Sequence, residues 1–380
     1  MKRGVCFLII IGILFSLSGC ALFPSRLRGV ERLLVVQALG LDAEADGVRL
    51  SMASAADSAR GEGPVRMSGK GATIRSAAED IISRATEEEL FCAHTGVVLV
   101  GEESAERCLG PALSYICRSR EIRMDVPLLI VRGGSAEQAL LETGGERIGA
   151  VEILDALSAA APSRNGFAMP SAAGIEGRLR SGQCALAAAV TCVPSAEQEE
   201  DGAPLTLSPA GCAVIRDGAI AAFIEQEDVC ALDLLTGAKG VHDVVVTDAE
   251  GRRVTLQTAP GKTVLRPIRD GDGRLGGVEI AVSLPASVAE LDAGRPAGDG
   301  SLSDALSALL ERELLSRMSR LVQLEKELGA DFLDLAGRIA LRSSAAQRRA
   351  DGSLAGRLDT LGVRLSVSAA ISHSNDVRDG

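Results

Sequence analysis

Few residues of this chain stand at the spacings that chemistry requires, and each candidate constellation lacks a neighbour. Gly261-Lys262-Thr263 ends like a phosphate-binding loop, whose backbone amides cradle phosphates while the lysine reaches them. The first glycine of such a loop would fall at Leu256, where an alternating apolar run stands instead. Asp270-Gly-Asp272-Gly begins like a calcium loop, yet Arg274 and Ala281 occupy positions that need oxygen ligands, so a hairpin turn is the better reading. Gly69-Lys-Gly71 lacks the third glycine of a dinucleotide fingerprint. Glu87-Glu88-Glu89 offers carboxylates without an acid, base or metal partner and reads as a solvated helix end. His94 could exchange a proton near neutral pH, but a lone histidine entering a strand is more often structural. No catalytic residue, metal ligand or cofactor-binding residue is therefore assigned, and no enzymatic activity is expected.

One cysteine does stand in a chemical context. Lys2 and Arg3 precede an uncharged apolar run from Val5 to Leu17, the arrangement of a signal peptide. That run is too short to span ~30 Å of hydrocarbon comfortably. Leu17-Ser18-Gly19-Cys20 resembles the lipobox of bacterial lipoproteins, in which the cysteine takes a diacylglycerol before cleavage in front of it. Residues 1–19 are accordingly read as a signal peptide and Cys20 as the lipidation site. Two acyl chains hold a protein on a membrane where one gives only marginal binding. The other cysteines of the mature chain are Cys92, Cys108, Cys117, Cys184, Cys192, Cys212 and Cys230. Their odd number cannot pair completely, none forms a C-x-x-C motif, and only His94, His242 and His373 could add nitrogen ligands. Most read as small apolar core residues.

The composition limits what these residues can serve. Hydrophobic residues make up 46% of 380, enough for more than one core, but aromatics make up 2%, so the cores must be built from Ala, Leu, Val and Ile. Single-stranded nucleic acid, held on aromatic platforms, is an unexpected partner. Without Lys2 and Arg3 the chain carries 38 basic against 51 acidic residues, a balance of −13. An acidic body is repelled by phosphates and anionic headgroups, so membrane attachment is expected from the lipid at Cys20 and not from a basic patch.

Apolar periodicity supplies the elements. Leu33 to Leu41 reads as a buried strand, Asp42 to Gly47 as a turn and Val48 to Ala53 as its hairpin partner. Thr73 caps a helix bearing Ile74, Ala77, Ala78, Ile81, Ile82 and Ala85 on one face. A strand from Gly96 to Gly101, a helix from Ser104 to Cys117, a strand from Val126 to Val131 and a helix from Ser135 to Glu142 follow, the alternation of an α/β layered domain. After a helical patch from Ile148 to Ala161, the segment from Pro194 to Pro204 is polar and reads as a loop. Asp217-Gly218 joins a hairpin of Cys212 to Ile215 and Ile220 to Ile224. Period-two runs lie at Val254 to Thr258, Val278 to Leu284 and Val363 to Ile371. Between the last two, Ser301 and Asp304 could open, and Gly329 close, a long helix with a stripe of Leu306, Leu310, Leu314, Met318, Leu321, Leu324 and Leu328.

The fold expected is multi-domain α+β and α/β, with mixed and antiparallel sheets each packed with helices, the second half ending in the long helix and a final strand. Residues 20–195 form the N-terminal part, as one unit or as two modules divided near Gly144. Residues 196–210 are the linker and 211–375 the C-terminal domain.

Certain segments stand in a fixed order: Val35-Val-Gln-Ala-Leu-Gly40-Leu-Asp42, Gly69-Lys-Gly-Ala-Thr-Ile74, Phe91-Cys-Ala-His94 before Val97-Val-Leu-Val-Gly-Glu102, and Arg118-Ser-Arg-Glu-Ile-Arg123 before Leu128 to Val131. Gly211-Cys-Ala-Val-Ile-Arg-Asp-Gly-Ala-Ile220, with Phe223 and Glu225-Gln-Glu227, and Gly329-Ala-Asp331-Phe-Leu333 continue the order. Over about 340 residues this order resembles the Ger(x)C family, the lipoprotein C subunit of spore germinant receptors. Family members often carry Trp-Asp after the lipidated cysteine, where this chain has Ala21-Leu22. The resemblance implies a non-enzymatic, lipid-anchored subunit at the spore inner membrane, facing away from the cytoplasm. Its implied partners are a membrane-embedded A subunit and a transporter-like B subunit, with no nucleic acid and no small-molecule ligand assigned. The alternative is a solute-binding lipoprotein of a transporter, which would need a cleft with convergent polar or aromatic groups. A lipid-anchored hydrolase would need a Gly-x-Ser-x-Gly elbow or a metal pair, and neither is present.

Overall fold

The computed structural model describes residues 33–55, 63–85, 89–145, 148–160, 169–196, 205–248, 250–291, 300–352, 354 and 359–372. The apolar run at Leu33 is not one strand. β1 (Leu33–Val35) ends before Gln37, whose side-chain oxygen accepts from Ala55 N (2.6 Å) and whose carbonyl accepts from Gly96 N (2.7 Å). β2 (Ala38–Glu44) then pairs antiparallel with β3 (Gly47–Ala53), so the expected hairpin forms with a tighter turn at residues 45 and 46. β4 (Arg66–Gly71) follows, then α1 (Ile74–Arg84), which Thr73 and Ser76 open as a reciprocal capping box. Ile74, Ala77 and Ile81 of α1 are buried, while Ile82 is exposed. β5 (Glu89–Phe91) pairs in parallel with β1.

The alternating stretch is next: β6 (Val97–Gly101), α2 (Glu102–Arg118), β7 (Leu128–Val131), α3 (Ala136–Leu141), α4 (Ala150–Ala160), α5 (Ala172–Arg180) and β8 (Ala185–Pro194). β9 (Leu205–Arg216) and β10 (Ala219–Ile224) complete an eight-stranded sheet of order β10-β9-β8-β7-β6-β2-β3-β4. Its centre, β8-β7-β6-β2, is parallel, and antiparallel hairpins extend it on both sides. Because side chains alternate across a strand, Val98, Val100, Leu128 and Ile130 face α1, α2 and α5, while Leu99, Leu129 and Val131 face α3 and α4. The result is a three-layer α/β/α body.

This topology departs from the expected linker at 196–210. Residues 205–210 already belong to β9, and the hairpin expected to open the C-terminal domain at 211 instead finishes the first sheet. Asp217 (φ 53°) and Gly218 (φ 84°) make its left-handed turn. On both sides of Gly144 the chain packs on the same sheet face, through α3 and α4.

The remainder builds a second sheet. α6 (Val229–Thr236) leads to β11 (His242–Thr247), β12 (Arg253–Thr258), β13 (Lys262–Arg269) and the 17-residue β14 (Leu275–Leu291). After α7 (Gly300–Leu328), α8 (Leu335–Leu341) and α9 (Ala345–Asp351), β15 (Gly362–Ser372) pairs in parallel with β14. The helix α7 begins at Gly300, so Ser301 lies inside its first turn and not before it. Leu306, Leu310, Leu314, Met318 and Leu321 of its stripe are buried on the sheet, and Gly329 (φ 56°) ends it. Cys212, Val214 and Ile224 of the first sheet, with Cys184 just before β8, share this second core.

Candidate functional site

In open α/β sheets a ligand crevice lies beyond the carboxyl ends of the parallel strands. Here those ends are Asp42 on β2, Gly101 on β6 and the turn after β7, where α2 and α3 begin. Asp42 is buried, and its two carboxylate oxygens accept from Ala136 N and Glu137 N, each at 2.8 Å. Burial raises its pKa, against those two amide bonds. A Cβ at Gly101 would come within 2.3 Å of Asp42 Oδ1, so the residue there is confined to glycine. Glu102 Oε2 accepts from Gly133 N at 2.6 Å. The amides that would hold a phosphate are thus occupied by the chain's own carboxylates, and Glu103 and Glu106 add to the negative wall.

A second constellation has the residue types of a nucleophilic triad. His242, at the start of β11, is buried, and its Nε2 lies 2.9 Å from Asp233 Oδ2 on α6. His242 and Cys230 both line a cavity of about 560 Å³ with Glu225, Gln226, Glu227 and Asp243. Nucleophilic chemistry needs a thiolate. Burial pushes the Cys230 thiol up to about 12, and Thr258 Oγ1 lies 3.9 Å from its sulfur. Asp233 Oδ1 is buried without a hydrogen-bond partner. The pair thus fastens α6 to β11, and the cysteine stays neutral.

The third cluster closes α7. Glu325 is 2% exposed, and its Oε2 accepts from Leu333 N at 3.0 Å. Burial, then the charge of Asp331, pushes its pKa up to about 9, so it is protonated at neutral pH. Asp331 accepts from Leu335 N (2.6 Å) and Ala336 N (2.9 Å) at the start of α8. Arg338, its pKa lowered by burial, donates to the Leu235 carbonyl.

Between β10 and α7 runs a groove of about 670 Å³, with Phe223, Leu321 and Leu324 apolar and Glu225, Asp228, Arg320 and Glu327 charged. Arg132, after β7, makes two bonds to Glu225 (2.8 and 2.7 Å), with its guanidinium carbon 4.6 Å from the Phe223 ring centroid. Arg320 reaches Asp228 at 2.6 Å, and Arg317 donates to the Glu227 carbonyl.

Cys20, Glu87, Glu88 and His373 lie outside the described residues. Glu89 opens β5, and His94 is exposed in a turn with its ring 5.5 Å from Phe91. Lys262 and Thr263 are in β13, and Asp270 closes the turn to β14 by accepting from Arg274 N. Cys184, Cys212 and Cys230 are core residues, and Cys92, Cys117 and Cys192 pack against cores. The sequence reading missed Asp233 and Glu325. Asp233 interrupts the apolar run Val229 to Leu235, and Glu325 falls four residues after Leu321, where the stripe of α7 continues; an acid at a core position was the available signal.

Residues 28–170 match the spore germination protein N-terminal domain. The fold is similar to the crystal structure of the GerBC protein at a TM-score of 0.56 and 16% identity, covering 88% of this chain and 96% of that one. No curated protein sequence matches the chain.

Proposed function

We propose that this chain, which carries a spore germination protein N-terminal domain on a Ger(x)C fold, is the lipid-anchored C subunit of a germinant receptor. It performs no chemistry of its own, and it docks on the extracytoplasmic surface of the membrane-embedded A and B subunits. The match over residues 28–170 carries this reading. The site geometry supports it, since the carboxylates at the strand ends are spent on backbone amides and burial keeps the Cys230 thiol neutral. A tether at Cys20 confines the body to a thin layer above the membrane, so its effective concentration for a membrane partner rises without any new contact. Weak contacts then suffice for assembly.

The test is genetic. Deleting the gene, in a strain with no related C subunit able to substitute, should abolish germination by nutrients and spare germination by agents that bypass the receptor. Cys20→Ala should weaken the nutrient response, and an unrelated lipid or transmembrane tether should restore part of it. Normal nutrient germination in the deletion strain would refute the proposal.

A further inference from the structure

The net charge of the chain is negative, but the charge is not evenly spread. Along residues 341–350, from the end of α8 through α9, the sequence is Leu-Arg-Ser-Ser-Ala-Ala-Gln-Arg-Arg-Ala. Arg342, Arg348 and Arg349 are exposed, and none forms an ion pair with the described residues. This stretch contains no acidic residue, and the acid that follows, Asp351, is buried and held by Arg269 through two bonds of 2.9 and 3.0 Å. Beside the arginines Leu341 stands 84% exposed, the most exposed of the large hydrophobic residues described.

The short helices are also held rigidly. Arg348 donates to the carbonyls of Ala340 and Ser343, which fixes α9 against the end of α8. Arg269 ties Asp351 and Ser343 to β13. Leu341, Arg342 and Arg349 therefore project from a fixed knuckle. An apolar tip flanked by arginines matches the boundary of an anionic bilayer, where the leucine enters the headgroup layer and the guanidinium groups meet lipid phosphates.

We infer that the α8–α9 knuckle is a membrane-facing surface that seats the body on anionic lipid. The inference rests on the anchor proposed above. Thirteen residues separate Cys20 from Leu33, a reach of at most roughly 45 Å that leaves the orientation of the body to be set by its own surface. With so few cations the knuckle orients the body and leaves attachment to the lipid. The total charge of the body remains acidic, so the cations of this one surface add to the lipid anchor and do not replace it.

The test uses the full lipidated protein on two kinds of vesicle, one of phosphatidylcholine and one of equal parts phosphatidylcholine and phosphatidylglycerol. Flotation reads the anchor, and amide hydrogen exchange along residues 341–350 reads the knuckle. Exchange there should slow several-fold on the anionic vesicles only, and high salt should reverse the effect, while exchange in α7 stays the same on both. In the variant Leu341→Asn, Arg342→Gln, Arg349→Gln, which keeps the structural Arg348, the difference should vanish. A protein that floats with both vesicles and exchanges equally on them overturns the inference and leaves the anchor standing. Protection that persists in the variant overturns it as well. A protein that floats with neither counts against both.

Discussion

At the scale of single residues, the most informative groups are acids in places where acids are costly. Glu325 is neutral in the fold at pH 7, whereas an unfolded glutamate ionises near pH 4.5. Its folded pKa is raised, so the unfolded state releases the proton first. As pH rises from about 4.5 to about 9 the fold is progressively destabilised, and above that window the cost stays constant. Glu325→Gln keeps an acceptor for Leu333 N without the proton cost. Its denaturant midpoint should exceed the wild type's at pH 8 and approach it at pH 4; equal midpoints at both would show that Glu325 is ionised in the fold. The His242–Asp233 pair makes a different prediction. Asp233→Ala strands the buried Nε2 and should cost on the order of 1–3 kcal/mol in urea unfolding. Cys20 belongs to this scale too: labelled fatty acid should enter the wild type and be absent from Cys20→Ala, and equal labelling would exclude it as the acylated residue.

At the scale of elements, α7 is the beam on which the second core rests. Leu314 is fully buried at its middle, and Leu314→Ala should cost about 2–5 kcal/mol by the transfer and cavity terms together. A smaller loss would mean that the helix settles onto the sheet. Period and caps made this element, α1 and the hairpins legible in the sequence. Thr73 was readable as a cap because its side chain serves its own helix, and Asp217-Gly218 because a two-residue turn sets its own register. β4 and β13 were not legible. Lys70 in β4 and Arg266 with Pro267 in β13 interrupt any alternation, and these strands exist because β3 and β14 pair with them. Glu325 was passed over for the same reason: the apolar stripe was read through Leu324, and the acid at the core position has meaning only beside Leu333.

At the scale of the whole molecule, the two sheets are joined through β9 and β10, which finish the first sheet and lend Cys212, Val214 and Ile224 to the second core. A chain ending at residue 196 would leave β8 as an unpaired apolar edge, the kind of edge that aggregates. It should elute as large assemblies on size exclusion, while a chain continued through Ile224 should be more soluble. Equal behaviour would mean that β8 needs no partner. What the sequence determined by itself is local: the strand and helix periods, the turns, and each short segment that resembles the Ger(x)C family. Each of these depends on residues within a few positions of one another, so spacing alone expresses it. Tertiary structure decided which sheet received the hairpin beyond residue 205 and which acids were buried. Those outcomes follow from strands and side chains far apart in sequence competing for the same partners and the same buried volume, and no local pattern records which of them prevails.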